Sequence, residues 1–287
     1  MNIRRGFLAL AAMILGVGFF GASSAYATQT YFPGNNTGCK GYTQAGADWP
    51  LNGHFFLCDG TTSPTGTANN VKTTASAVHS SMKAKFDAQG VDVFVFKDAV
   101  AVNSYLDFRH AIPVTGLRAD DYGATWPSQG QDHPHAAIVL MKQSIGGTVY
   151  TSTDVARATA HELGHGLDLV YNFPSQQANF NSLLAADIVD FNKVTNPAPN
   201  FAGLSATCLS KPKNMDKLLC HEQNTSGNVK ELFADLYASY QPGTGTLPPE
   251  VGSLLKNYFT KGSGQPQVNK YRSRQYVIDL ATGARQP

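Results

Sequence analysis

The chain has 287 residues, with 22 Lys and Arg against 20 Asp and Glu for a formal charge of +2, and only 15% of its residues are charged. No Lys/Arg run and no interleaving of basic with aromatic residues occurs, which excludes the electrostatic footprint of a nucleic-acid binder. The length suits one large domain, or a main domain with an appendage.

The first stretch reads as an export signal rather than as fold. Arg4 and Arg5 form a positive n-region, Phe7 to Phe20 an apolar core, and Ala25-Tyr26-Ala27 a small-residue cleavage site. Arg4-Arg5-Gly6-Phe7-Leu8 matches a twin-arginine signal in part, but Ile3 precedes it and no Lys follows Leu8, so the general secretory route is expected. Residues 1–27 are therefore assigned to a signal peptide, and a secreted or periplasmic location follows. No later apolar run is long enough to span a bilayer. Four cysteines in an exported chain imply two disulfides. Cys39–Cys58 and Cys208–Cys220 each close a short local loop, and each pairing is worth about 3 kcal/mol by loop entropy.

Residues 28–68 are rich in Gly, Asn, Thr and Pro and read as an irregular or short-stranded segment stapled by Cys39 and Cys58. His54 within it reads as a surface or packing residue. Asn69 to Ala88 has apolar positions at Val71, Ala75, Val78, Met82 and Phe86, the spacing of a helix with His79 on its surface. Gly90 stops it, and Val91 to Phe96 follows as a β-branched and aromatic strand. Asp120 to Pro134 is turn-rich, with His133 and His135 read as loop histidines, and Ala136 to Met141 is a second strand. Val149-Tyr150 is a third, short one. Helix, strands and then a further helix make an α+β fold.

That further helix, Val155 to Tyr171, has N-cap candidates in Thr151-Ser152-Thr153-Asp154 and carries His161-Glu162-Leu163-Gly164-His165. Residues four apart on a helix differ by about 40° of rotation, so His161 and His165 leave one face and can present two imidazole nitrogens to one Zn²⁺. Glu162 lies about 100° round, beside the ion, placed to take a proton from an attacking water. The sequence contains only 8 His and few glutamates, so this H-E-x-x-H spacing is an uncommon coincidence.

A catalytic zinc needs a third protein ligand. Besides Glu162, the glutamates are Glu222, Glu231 and Glu250. Glu231 and Asp235 share one face of an amphipathic helix over Glu231 to Tyr240, and that face carries no Lys or Arg at 227, 234 or 238. Glu231 is thus the preferred ligand, with Asp235 orienting a ligand imidazole through its ring N–H. Asp168, three residues after His165, competes as third ligand if Gly166 breaks the helix. Otherwise it serves as a partner of a ligand or a helix-packing anchor. Glu222, beside Cys220, is a weaker candidate. Asn181 to Lys193 and Pro248 to Phe259 read as helices, and Val277 to Leu280 as a closing strand.

His161-Glu162-Leu163-Gly164-His165-Gly166-Leu167-Asp168, with Glu231-Leu232-Phe233-Ala234-Asp235 far downstream, resembles the gluzincin-type zinc metallopeptidases. Within them it is similar to the anthrax-lethal-factor-like group, including Pro-Pro endopeptidases, and to the Mlc titration factor peptidases. The resemblance covers about 136 to 260. It implies a zincin-like domain over 69–287, zinc on His161, His165 and Glu231, Glu162 as general base, and a protein or peptide substrate. In the lethal-factor-like group a tyrosine shortly before the third ligand stabilises the oxyanion. Asn224 stands at that position here, which leaves His221, Tyr171, Tyr237 and Tyr240 as candidates. Two other readings stay open: a secreted zinc-binding or adhesive module without turnover, and an aspartate-type zincin using Asp168.

Overall fold

A computed structural model describes residues 39–102, 122–126, 136–193, 206–213, 229–240 and 272–287. The signal peptide, His133, His135, Cys220, His221, Glu222, Glu250 and the helix expected over Pro248 to Phe259 lie outside the described residues.

The fold is α+β. Its centre is a mixed five-stranded sheet in the order β1-β2-β3-β5-β4, built from β1 (Lys40–Tyr42), β2 (Phe55–Cys58), β3 (Asp92–Phe96), β4 (Gly123–Trp126) and β5 (Ala137–Met141). β2, β3 and β5 run parallel, with Phe55 opposite Val93 and Val93 opposite Ile138. The near-continuous apolar runs of β3 and β5 are buried along their whole length, as central parallel strands require. Among the described residues β1 and β4 are the antiparallel edges, and β4 is half-exposed throughout.

Around the sheet stand helices α1 (Gly66–Ser76), α2 (Ser80–Ala88), α3 (Ser152–Val170), α4 (Ala178–Asn192), α5 (Ala206–Leu209), α6 (Val229–Ala238) and α7 (Arg272–Thr282), with a short 3-10 turn at Pro174–Gln176. α3 packs on α1, α6 and the β4–β5 side of the sheet, while α7 packs on α4, α6 and α2. Leu163, Leu167, Phe233 and Val277 join the strand residues in one core. None of the described helices is long and apolar enough to cross a membrane.

The Cys39–Cys58 disulfide is present and ties the chain before β1 to the end of β2. Cys208 is also disulfide-bonded. Through β1 and β2 this stapled stretch forms part of the sheet itself.

Four sequence expectations are corrected. The helix expected over Asn69 to Ala88 is two helices: His79 is extended (φ −60°, ψ 146°), and its ring nitrogen accepts from the Ser81 N–H, starting a new helix. The turn-rich stretch after Asp120 contains β4, a short edge strand whose order comes from pairing with β5 rather than from its own composition. Val149 forms only an isolated bridge to Gln143. Val277 to Leu280 is helical, not a strand. Ser273, Tyr276, Val277, Leu280 and Ala281 are buried at helical spacing, and the buried Asp187 carboxylate accepts from the Ser273 N–H at 2.9 Å to cap the helix.

Candidate metal centre

α3 begins where the sequence suggests. The Thr151 hydroxyl oxygen accepts from the Asp154 N–H at 3.2 Å and donates to the Asp154 carboxylate at 2.6 Å. The helix then runs unbroken through Gly166 to Val170, which places His161 and His165 one turn apart with ring centroids separated by 4.7 Å. Both glycines of the motif serve packing. A Cβ on Gly164 would lie 2.6 Å from the Cα and 2.7 Å from the carbonyl oxygen of Ala234, so α6 crosses α3 in near backbone contact. A Cβ on Gly166 would lie 3.1 Å from side-chain atoms of both Ile138 and Phe86.

That close crossing brings the first turn of α6 to the imidazoles. His161 Nε2 lies 3.1 Å from His165 Nε2 and 3.1 Å from Glu231 Oε2, and His165 Nε2 lies 3.3 Å from the same oxygen. This is the only such cluster of metal-ligating side chains among the described residues. Bonds of 2.0–2.1 Å in a tetrahedral site separate neighbouring ligand atoms by about 3.3 Å, so the triangle has the size of a donor set round one small cation. Imidazole nitrogen with carboxylate oxygen is also the donor chemistry of first-row divalent ions. The residues fit a metal.

Asp235, one turn beyond Glu231 and buried, has its Oδ1 2.8 Å from His161 Nδ1. A carboxylate can only accept there, so Nδ1 carries a proton, and loss of any second proton from the ring would leave the Nε2 lone pair facing the cluster. Burial alone would depress the His161 pKa, yet the charges of Asp235, Glu231 and Glu162 hold it well above the ordinary value. Burial likewise works to raise Glu231, but its hydrogen bonds to His161 and His165 bring that carboxyl far below the usual range. Glu162 is buried beside the triangle and takes no part in it. Burial raises its pKa against the opposing pull of His165, His161 and a hydrogen bond from Thr125.

The other candidates are placed as follows. Asp168 is buried, and its two oxygens accept from the Ser175 N–H at 2.8 Å and the Ser175 hydroxyl at 2.7 Å. It thereby fixes the chain reversal that passes through Asn172 and Phe173, both at positive φ. The Tyr171 hydroxyl donates to the Leu280 carbonyl at 3.4 Å, toward α7. Tyr237 is fully buried and packs edge-on against Tyr240, with ring centroids 6.4 Å apart, at the far end of α6 from Glu231. His54 stands apart from the cluster, held between Asp92 at 2.8 Å and Asp87 at 3.3 Å.

Two residues at the centre escaped sequence reasoning. The Thr125 hydroxyl donates to Glu162 Oε2 at 2.8 Å, and Gly123 leaves room for the Glu162 side chain. Both lie on β4, and only their alternation in a strand would have paired them. Fold and site together define an α+β protein with an HExxH-type candidate metal centre. No family model matches the sequence, and no curated protein matches it either.

Proposed function

We propose that the protein is an exported zinc-dependent endopeptidase of the gluzincin type, similar to the lethal-factor-like and Mlc titration factor peptidases, acting on protein or peptide substrates. One observation carries the reading: His161 Nε2, His165 Nε2 and Glu231 Oε2 converge with edges of 3.1–3.3 Å beside a buried carboxylate that is not part of the triangle. Two imidazoles and one glutamate make a donor set of catalytic zinc sites, with a fourth position left for water or substrate. Zinc bound there supplies a Lewis acid for the scissile carbonyl and lowers the pKa of water toward 7.

The chain's own residues do the rest. His161, His165 and Glu231 hold the ion, and Asp235 keeps the His161 ring in the tautomer that ligation needs. Glu162 accepts the proton of the attacking water and returns it to the leaving nitrogen. The half-exposed edge of β4, whose Thr125 and Gly123 touch Glu162, is where an extended peptide would add as a further strand. The disulfides accord with an oxidising compartment.

The test is metal analysis of the purified protein, with peptide-library digestion in the presence and absence of chelator. Glu162→Gln is expected to retain zinc and lose cleavage. Cleavage by that variant at the wild-type rate would remove the mechanism, and bound zinc without chelator-sensitive cleavage would point to a binding module instead. Glu231→Ala is expected to lose zinc and Asp168→Ala to keep it. The reverse result would install Asp168 as the third ligand.

A further inference from the structure

We infer that Thr125 is a positioning residue for Glu162: its single hydroxyl hydrogen has two acceptors on that one glutamate and passes between them as the carboxylate moves. The inference rests on Glu162 being the proton carrier proposed above. Gly123 and Thr125 alternate on β4 and so face the same side, and both meet Glu162. The Thr125 oxygen lies 2.8 Å from Glu162 Oε2 and 3.1 Å from the Glu162 backbone carbonyl oxygen. A Cβ at Gly123 would lie 2.8 Å from Glu162 Cγ, so a side chain there would push the glutamate off its rotamer. β4 thus supplies both the space and the tether for the carboxylate.

A threonine hydroxyl donates one hydrogen at a time. With the carboxylate at rest, the hydrogen goes to Oε2, a charge-assisted bond and the stronger of the two. That engages Oε2 and assigns proton acceptance from water to Oε1. When the carboxylate swings from the strand toward the reacting atoms, the hydroxyl turns to the Glu162 carbonyl oxygen, already within reach. The half-buried hydroxyl therefore has an acceptor in both positions, and releasing the carboxylate strands no polar group. Thr125 keeps its own proton throughout, and no bond to it is made or broken. The edge strand that would align a substrate also holds the group that acts on it.

Thr125→Val preserves shape and strand preference while removing the hydrogen, and Thr125→Ser retains the hydroxyl. Loss of a hydrogen bond to a charged group corresponds to roughly a tenfold fall. The valine variant should thus lose about tenfold in kcat with KM unchanged, and the serine variant should recover to within about twofold of wild type. Zinc content should be equal in all three. The visible spectrum of the cobalt(II)-substituted protein gives a readout independent of turnover, and it should shift in the valine variant and not in the serine variant. Wild-type kcat in Thr125→Val, or a rise in KM alone, would overturn the inference. A wild-type protein that cleaves nothing while the cobalt spectrum still separates valine from serine would retire the peptidase reading and leave the positioning role standing.

Discussion

Gly164→Ala tests the architecture at its tightest point, because two physical arguments give it opposite signs. On helix propensity alone, replacing glycine by alanine in the interior of α3 should stabilise the protein by about 1 kcal/mol. The structure opposes this. The added Cβ would sit 2.6 Å from the Ala234 Cα and 2.7 Å from its carbonyl oxygen, both backbone atoms of α6 that no side-chain rotation can clear. Carbon atoms at optimal separation lie about 3.5–4.0 Å apart, so α6 must retreat by roughly 1 Å. Overpacking of this kind costs about 1–3 kcal/mol, which cancels or outweighs the propensity gain. The larger effect falls on the metal. Glu231 and Asp235 ride on α6, so a shift of that size misplaces a ligand together with the partner that orients another, and affinity should drop by about 10- to 100-fold. Gly166→Ala is the internal control: its Cβ would meet only side-chain atoms, at 3.1 Å, which can shift by a few tenths of an ångström. Zinc competition titrations and thermal melts of both variants, with and without metal, make the measurement. A Gly164→Ala protein that melts higher than wild type and binds zinc equally well would refute the close crossing and the route by which Glu231 reaches the imidazoles.

Asp235→Asn keeps the shape of the side chain but removes the charge that faces His161 Nδ1 at 2.8 Å. Metal affinity should fall about 10- to 100-fold in chelator competition, and unchanged affinity would deny Asp235 its orienting role. His54 yields a pH dependence remote from the metal. Burial works to lower its pKa, but Asp92 and Asp87 raise it above the ordinary 6.5, so the folded state binds the proton more tightly than the unfolded chain. The stabilisation is therefore complete below about 6.5 and disappears as pH rises through the higher folded value. Urea midpoints measured across that window should decline in wild type and flatten in His54→Asn, whereas parallel curves would contradict the assignment.

The parts of the molecule legible in the sequence are those fixed by local spacing. His161 and His165 follow from the 3.6-residue period, and α6 from its apolar stripe. Glu231 stood out because its face of the helix offers no cationic partner at the neighbouring positions. What the sequence hides is contact across distance. Nothing in the sequence singles out Gly164, and only the backbone of Ala234 lying against it explains why no larger residue would fit. Gly166 reads as a possible helix break and is instead a packing contact with the sheet and α2. β4 has one β-branched residue in Gly-Ala-Thr-Trp and is a strand because β5 lies beside it, so Thr125 could not be linked to Glu162 beforehand. In α7 the short Val277-Ile278 run suggested a strand, while the longer period of buried positions from Ser273 to Ala281 decides for helix.

The charges round the cluster favour a cation among them. Asp235, Glu231 and Glu162 all act on His161, and each makes its protonated form more favourable. Three acids drawn toward two imidazoles in a partly buried space leave an excess of negative charge, which is unfavourable unless something positive sits among them. A proton on His161 can meet that need, and the upward push on His161 together with the downward push on Glu231 describes that arrangement. A divalent ion meets it better, since it engages all three converging atoms at once and frees Nε2 of His161 from competing for a hydrogen. Proton and metal then occupy the same place and exclude one another, so binding the ion must release a proton whenever His161 is charged beforehand. A helix that used these histidines only for packing would have no reason to bring a third donor and two further carboxylates to the same point.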